Sequence, residues 1–162
     1  MDKNIVAAAL LAAALTAADA ASARDIAVRP GPNAAEELAE ALITAEPGDT
    51  VWLGIGRYEL TDGLTLDVDG VSIRGIGPDV SILSFTNQQG SGEGLLITSG
   101  RVVLDGFAVE NPKGDGIKSK GSSEITFSNL RVEWTNGPDE KNGAYGIYPV
   151  SSKNVLIDGV TV

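Results

Sequence analysis

Glu124-Ile125-Thr126-Phe127-Ser128-Asn129-Leu130-Arg131-Val132 decides the fold, because the chain repeats it. Copies stand at Val71-Ser72-Ile73-Arg74-Gly75-Ile76, at Arg101-Val102-Val103-Leu104-Asp105-Gly106-Phe107-Ala108-Val109 and at Asn154-Val155-Leu156-Ile157-Asp158-Gly159-Val160-Thr161-Val162. Each reads as two short strands joined at a bend, with apolar residues alternating on either side. The inward columns before the bend are Val71, Val102, Ile125, Val155 and Ile73, Leu104, Phe127, Ile157; after it comes Ile76, Phe107, Leu130, Val160. The bend column is Gly75, Gly106, Asn129, Gly159, the two residue types that enter positive φ at least cost, so a left-handed bend is expected at each.

A fainter strand precedes every copy: Gly63-Leu64-Thr65-Leu66, Gly94-Leu95-Leu96-Ile97, Gly116-Ile117-Lys118-Ser119 and Gly146-Ile147-Tyr148-Pro149. Val51-Trp52-Leu53 fits a less complete first turn, which puts the first inward marks at Val51, Val71, Val102, Ile125 and Val155, spaced 20, 31, 23 and 30. Three short strands per ~20–30 residues with variable loops describe a β-solenoid, in which a turn buries its apolar face only by stacking on its neighbours. An antiparallel sandwich also uses Asp-Gly and Asn-Gly hairpins. It has no reason to repeat strand, bend, strand in one order with one bend chemistry.

The chain has 162 residues, the length of one domain, with 5% aromatics and 20 Gly, a balance suited to thin strands and tight turns. Residues 1–23 differ in kind. Lys3 precedes an apolar run from Ile5 to Ala18, followed by the small-residue sites Ala18-Asp19-Ala20 and Ala21-Ser22-Ala23. This reads as a signal peptide, so the chain is expected to be exported, periplasmic or secreted. The run is shorter than the ~20 apolar residues of a membrane span, and no later segment approaches that length. Without cysteine the fold has no disulfides and no lipid-modified cysteine anchor. The formal charge is −10, and −9 without residues 1–23, which argues against a nucleic-acid partner. Without histidine, Ser-His-Asp chemistry, His-ligated zinc and His general bases are excluded for this segment.

From residue 24 onward one β-helix domain is expected, with a helix at about 33–46 and coils from about 50. Asn33 and Glu36 resemble a capping box; Leu38, Ala41, Leu42 and Ala45 share a face, and Pro47-Gly48 ends the helix. Such a helix would lid the open end of the first coil. The stretch Asn33 to Tyr58 resembles the entry segment of right-handed parallel β-helix proteins of the pectate-lyase-like superfamily, and Gly75-Ile76-Gly77-Pro78-Asp79-Val80-Ser81-Ile82-Leu83 adds to the likeness. Asn142-Gly143-Ala144-Tyr145-Gly146-Ile147-Tyr148-Pro149-Val150, leading into Asn154-Val155-Leu156-Ile157, is similar to the bacterial exported parallel β-helix repeat proteins within it. The resemblance implies a right-handed coil and a frequent role on acidic polysaccharides as lyase, epimerase or esterase, but no catalytic motif carries over, and fold alone does not license a function. Because Val162 falls inside a copy, further coils are expected beyond it.

Long loops are expected at Ser84 to Glu93 and Glu133 to Tyr145, flanking a short one at Glu110 to Asp115. At ~4.8 Å per coil the long loops would stand about 10 Å apart, with a notch between them. The outward columns Thr65, Leu96, Lys118, Tyr148 and Asp67, Thr98, Lys120, Val150 would put two lysines on its floor. A lyase or epimerase working on a uronic acid needs a cation for the carboxylate and a base for the adjacent proton. Lys118, Lys120, Tyr148 and Tyr145 are of those types. Trp134 could stack on a sugar or tuck against the coil wall. Asp115, Asp139 and Glu140 could serve a calcium ion, although no ordered ligand spacing is present. The competing readings are a solvated strand face with edge-protecting lysines and a non-catalytic envelope or surface scaffold. Asp105 and Asp158, each before a bend Gly, fit turn chemistry.

Overall fold

The computed structural model describes residues 22–90 and 92–162. The signal-peptide reading falls, but for Ser22 and Ala23, outside the described residues. In chain order the elements are β1 (Asp25–Val28), the helix α1 (Ala34–Thr44), β2 (Thr50–Leu53) and β3 (Gly56–Glu59). The next coil holds β4 (Leu64–Leu66), β5 (Ser72–Gly75) and β6 (Ser81–Ser84), and the third β7 (Leu95–Ile97), β8 (Val102–Asp105) and β9 (Ala108–Glu110). The fourth holds β10 (Ile117–Lys120), β11 (Ser123–Ser128) and β12 (Arg131–Glu133), followed by β13 (Ile147–Val150) and β14 (Lys153–Asp158).

Three sheets result, ordered β1-β2-β5-β8-β11-β14, β4-β7-β10-β13 and β3-β6-β9-β12, and the strand pairings within them are parallel. Every third strand joins the same sheet, so the chain coils as a parallel β-helix and the antiparallel sandwich is excluded. Alternation sets the interior. Val102, Leu104, Ile125 and Phe127 are fully buried, and Val102 pairs with Ile125 as Leu104 pairs with Phe127. In sheet β4-β7-β10-β13, Leu64, Leu95 and Ile117 form the matching inward column. α1 closes the first coil, burying Ala34, Leu38, Ala41 and Leu42 against β1, β3 and β4. Its Asn33 makes no side-chain cap bond, contrary to the capping-box expectation.

The register differs from the expected one in the first coil. Val51 pairs with Ile73, not Val71, so that spacing is 22 rather than 20. Asp25–Val28, read only as an extended segment, adds a further strand by pairing with β2. The bend column divides. Gly106, Asn129 and Gly159 have φ of 75°, 49° and 62°, as expected, but Gly75 has no positive φ. It is glycine for space: a Cβ there would lie 2.3 Å from the Gly106 carbonyl oxygen. Ile76 is 59% exposed instead of inward. The five residues 76–80 form an insertion at that corner, and Ser81 takes the inward place in line with Phe107. Its hydroxyl donates toward the Leu53 and Gly54 carbonyls and accepts from Ile76 N–H, so the buried polar group is satisfied. Ile157 pairs with Phe127 but is 50% exposed, because β14 is the last strand of its sheet.

Candidate functional site

The connections leading into sheet β4-β7-β10-β13 run over residues 60–63, 85–94, 111–116 and 134–146, so the short one does lie between two long ones. On the outer face of this sheet, beside the end of the 85–94 loop, is a groove of about 340 Å³, lined by Glu93, Leu96, Lys118, Lys120, Tyr148 and Val150. The strands dictate this lining. Ile117 and Ser119 of β10 face the core, which forces Lys118 and Lys120 outward. Leu96, Lys118 and Tyr148 stack as one column, and Lys120 pairs with Val150.

Lys118 is the centre of the groove. Its Nζ donates to Glu93 Oε1 at 2.7 Å and lies 3.4 Å from Asp115 Oδ2. It also sits 5.4 Å from the centroid of the Tyr148 ring, within cation–π range. Tyr145 stacks on Tyr148, the ring centroids 4.3 Å apart and the planes 23° from parallel. The hydrogen bond it donates to Glu93 raises the pKa of Lys118 against the opposing effect of burial, and the same bond lowers that of Glu93. Lys118 is therefore held as a cation. Lys120 is exposed and makes no ion pair among the described residues.

Glu93 was not among the residues expected here, although its placement follows from register. It stands two residues before Leu95, as Asp115 does before Ile117 and Tyr145 before Ile147, and those three strand residues pair across the sheet. Extending the stacked columns two residues upstream of the strands finds it.

The other expected residues separate. Trp134 lines a different hollow, with Val132, Gly137, Pro138 and Val162, and its indole N–H donates to the Pro112 carbonyl at 2.7 Å. Asp139 and Glu140 are exposed in the 134–146 loop, where Asp139 accepts from Lys141 N–H, while Asp115 faces Lys118. Among the described residues no three acidic side chains gather closely enough to hold a metal.

A second charged cluster lies on the outer side of sheet β3-β6-β9-β12. Glu110, its side chain 4% exposed, accepts from Arg57 Nη2 at 2.5 Å and Arg131 Nη2 at 2.9 Å. Arg131 also reaches the Pro78 carbonyl and pairs with Glu133. This cluster ties the first, third and fourth coils together, and its carboxylate is used on both oxygens.

No family model matches the sequence, and no curated protein matches it. Two solved structures share the architecture. The alginate lyase from Paenibacillus sp. str. FPU-7 is 21% identical with a TM-score of 0.54, over 67% of this chain and 36% of that one. The PL6 family alginate lyase AlyGC is 22% identical with a TM-score of 0.58, over 86% of this chain and 20% of that one. The chain thus spans about a third and a fifth of the lengths of those two proteins. At such identities the likeness is one of fold, and together with the parallel sheets it makes this chain an all-β parallel β-helix.

Proposed function

We propose that the groove over β10 binds an acidic polysaccharide, with lyase or epimerase chemistry on a uronic acid as the finer reading, in an exported protein that is periplasmic or secreted. The observation that carries it is Lys118, a cation held beside a tyrosine face on the floor of a groove edged by Glu93. A sugar carboxylate would take the place of Glu93 on the ammonium, and Lys120 would meet the next charge along the polymer. Tyr148 and Leu96 would supply apolar contact to the ring. The likeness to two alginate lyases agrees with this substrate class.

Both reactions begin with removal of the proton beside the carboxylate. Lys118, its pKa raised, suits the neutralising role rather than that of base. Tyr148 and Tyr145 carry the side chains left for proton abstraction. A non-catalytic scaffold is the second reading, favoured by Glu93 and Asp115 already occupying the cation.

Binding to alginate, polygalacturonate and neutral polymers is to be compared between the native chain and a Lys118→Ala/Lys120→Ala variant. Salt-sensitive binding of the two polyuronates, weakened about tenfold in the variant, is expected, since exposed charges are screened over ~8 Å at physiological ionic strength. Unchanged binding in the variant would remove the groove. Polyuronate turnover to unsaturated ends, read by ultraviolet absorbance, separates a lyase from a scaffold.

A further inference from the structure

Asp49 is a carboxylate at 1% exposure, and most of what holds it comes from a single residue. Arg24 donates its backbone N–H to Oδ1 at 2.8 Å, and its Nε and Nη2 to Oδ2 at 3.0 and 2.6 Å. Glu46 N–H also donates to Oδ2 at 2.9 Å. Oδ2 therefore has three donors and Oδ1 has one, the Arg24 nitrogen, which leaves Oδ1 with room for a stronger donor. Arg24 is also where the fold takes hold of the chain. Its carbonyl accepts from Thr50 N–H at 2.8 Å and β1 starts one residue later, whereas Ser22 and Ala23 are exposed and belong to no strand.

The surroundings favour positive charge at this spot. The last turn of α1, whose end carries partial negative charge, contains no basic residue. Arg24 Nη2 supplies the missing cation from outside, donating to the Thr44 carbonyl at 3.1 Å. The three residues before Arg24 are Ala21-Ser22-Ala23, with small side chains at the first and third places before the Ala23–Arg24 bond.

We propose that the chain is processed at the Ala23–Arg24 bond and that the ammonium created at Arg24 docks on Asp49. In this step a peptidase adds water across the bond: hydroxyl goes to the Ala23 carbonyl carbon and a proton to the Arg24 nitrogen. Protonation from solvent then gives the ammonium. An amide with one proton becomes a charged group with three, at the same 2.8 Å position on Oδ1. A charge-assisted bond replaces a neutral donor. Cleavage at the other small-residue site, after Ala20, would leave a three-residue tail and keep the amide.

Intact mass of the chain exported from a bacterial host should start at Arg24. A product starting at Ala21, or one keeping Met1, overturns the processing site. The docking is read from melting temperature, comparing a chain with a free amine at Arg24 with the same chain acetylated there. The free amine should melt about 3 °C higher near pH 6, an increment of the size expected for one charge-assisted bond in a domain of this length. The groups facing that amine are the Asp49 carboxylate and the guanidinium of Arg24, and docking of the charged form on the carboxylate would raise its pKa above the usual ~7.7–8.0. The increment is accordingly present in full below about pH 7.7 and disappears as pH rises through the folded value. Asp49→Asn should abolish the difference between the two forms; if that variant does not fold, the acetylated pair and its pH profile carry the test. Equal melting of the two forms at pH 6 overturns the docking.

Discussion

Glu110 and Lys118 each anchor a charged cluster on the outside of the same coil stack, and the two clusters are built for different ends. Glu110 is 4% exposed and clamped by Arg57 and Arg131, on coils below and above it. Lys118 is 23% exposed, its partner Glu93 is 27% exposed, and both open onto a groove of about 340 Å³. The first pair is closed to ligands and holds coils in register. The second can be exchanged: a solvent-side carboxylate can be replaced by another at small cost, since partly exposed pairs contribute little. Charge at a surface is therefore a poor guide to function until access is known.

The largest expected effect breaks the closed cluster. Glu110→Ala removes the carboxylate shared by two arginines, one of which already has a buried Nε without a hydrogen bond. Losing these charge-assisted bonds costs about 2–3 kcal/mol, or about 8 °C in melting temperature for a domain of this size, with polymer binding by the folded fraction unchanged. A variant that melts like the native chain would show that the staple carries no stability.

Asp49 belongs with the closed kind, and its pH dependence sharpens the contrast. Its hydrogen bond from Arg24 holds its pKa at about 2, below the usual 3.8, against the effect of burial. A depressed carboxylate contributes stability that is present in full above about pH 4 and is lost as pH falls toward 2. Asp49→Asn should flatten the acid limb of the melting profile across that window, and an unaltered limb would contradict the pairing.

In the open cluster the effects should fall on binding. Lys118→Ala/Lys120→Ala should weaken polyuronate binding by about tenfold at low salt while moving the melting temperature little. Neutral polymers should bind as before, as equilibrium titration would show. Smallest of all, Glu93→Gln removes the internal competitor, and polyuronate should bind about threefold tighter, as expected from the modest worth of an exposed pair. Weaker binding would mean instead that Glu93 contacts the sugar.

The architecture was legible because a stacked coil imposes one local rule many times. Period-2 alternation through Val102, Leu104, Ile125 and Phe127 fixes which side is inward, and Gly106 and Asn129 mark where the chain must turn left-handed. The rule failed where an insertion broke the repeat. Ile76 has the right spacing from Ile73, yet the residues 76–80 swing out and Ser81 fills the place. Composition cannot tell that a hydroxyl will find the Leu53 and Gly54 carbonyls inside. Gly75 is needed for space and not for φ, and the two kinds of glycine look alike in a sequence.

The lining of the groove was legible in outline. Lys118, Lys120 and Tyr148 share the groove, because strand alternation and loop length reach that far, and Tyr145 joins them by stacking on Tyr148. Trp134 fell away to the Pro112 carbonyl, since loop side chains follow no period. The sequence by itself determined the coil, its inward columns and the strand that presents the lysines, all set by local alternation repeated along the chain. Only the tertiary structure decided that Glu93 meets Lys118 and that Glu110 joins Arg57 to Arg131, because these contacts span 25, 53 and 21 residues and depend on how each loop brings the next coil into register.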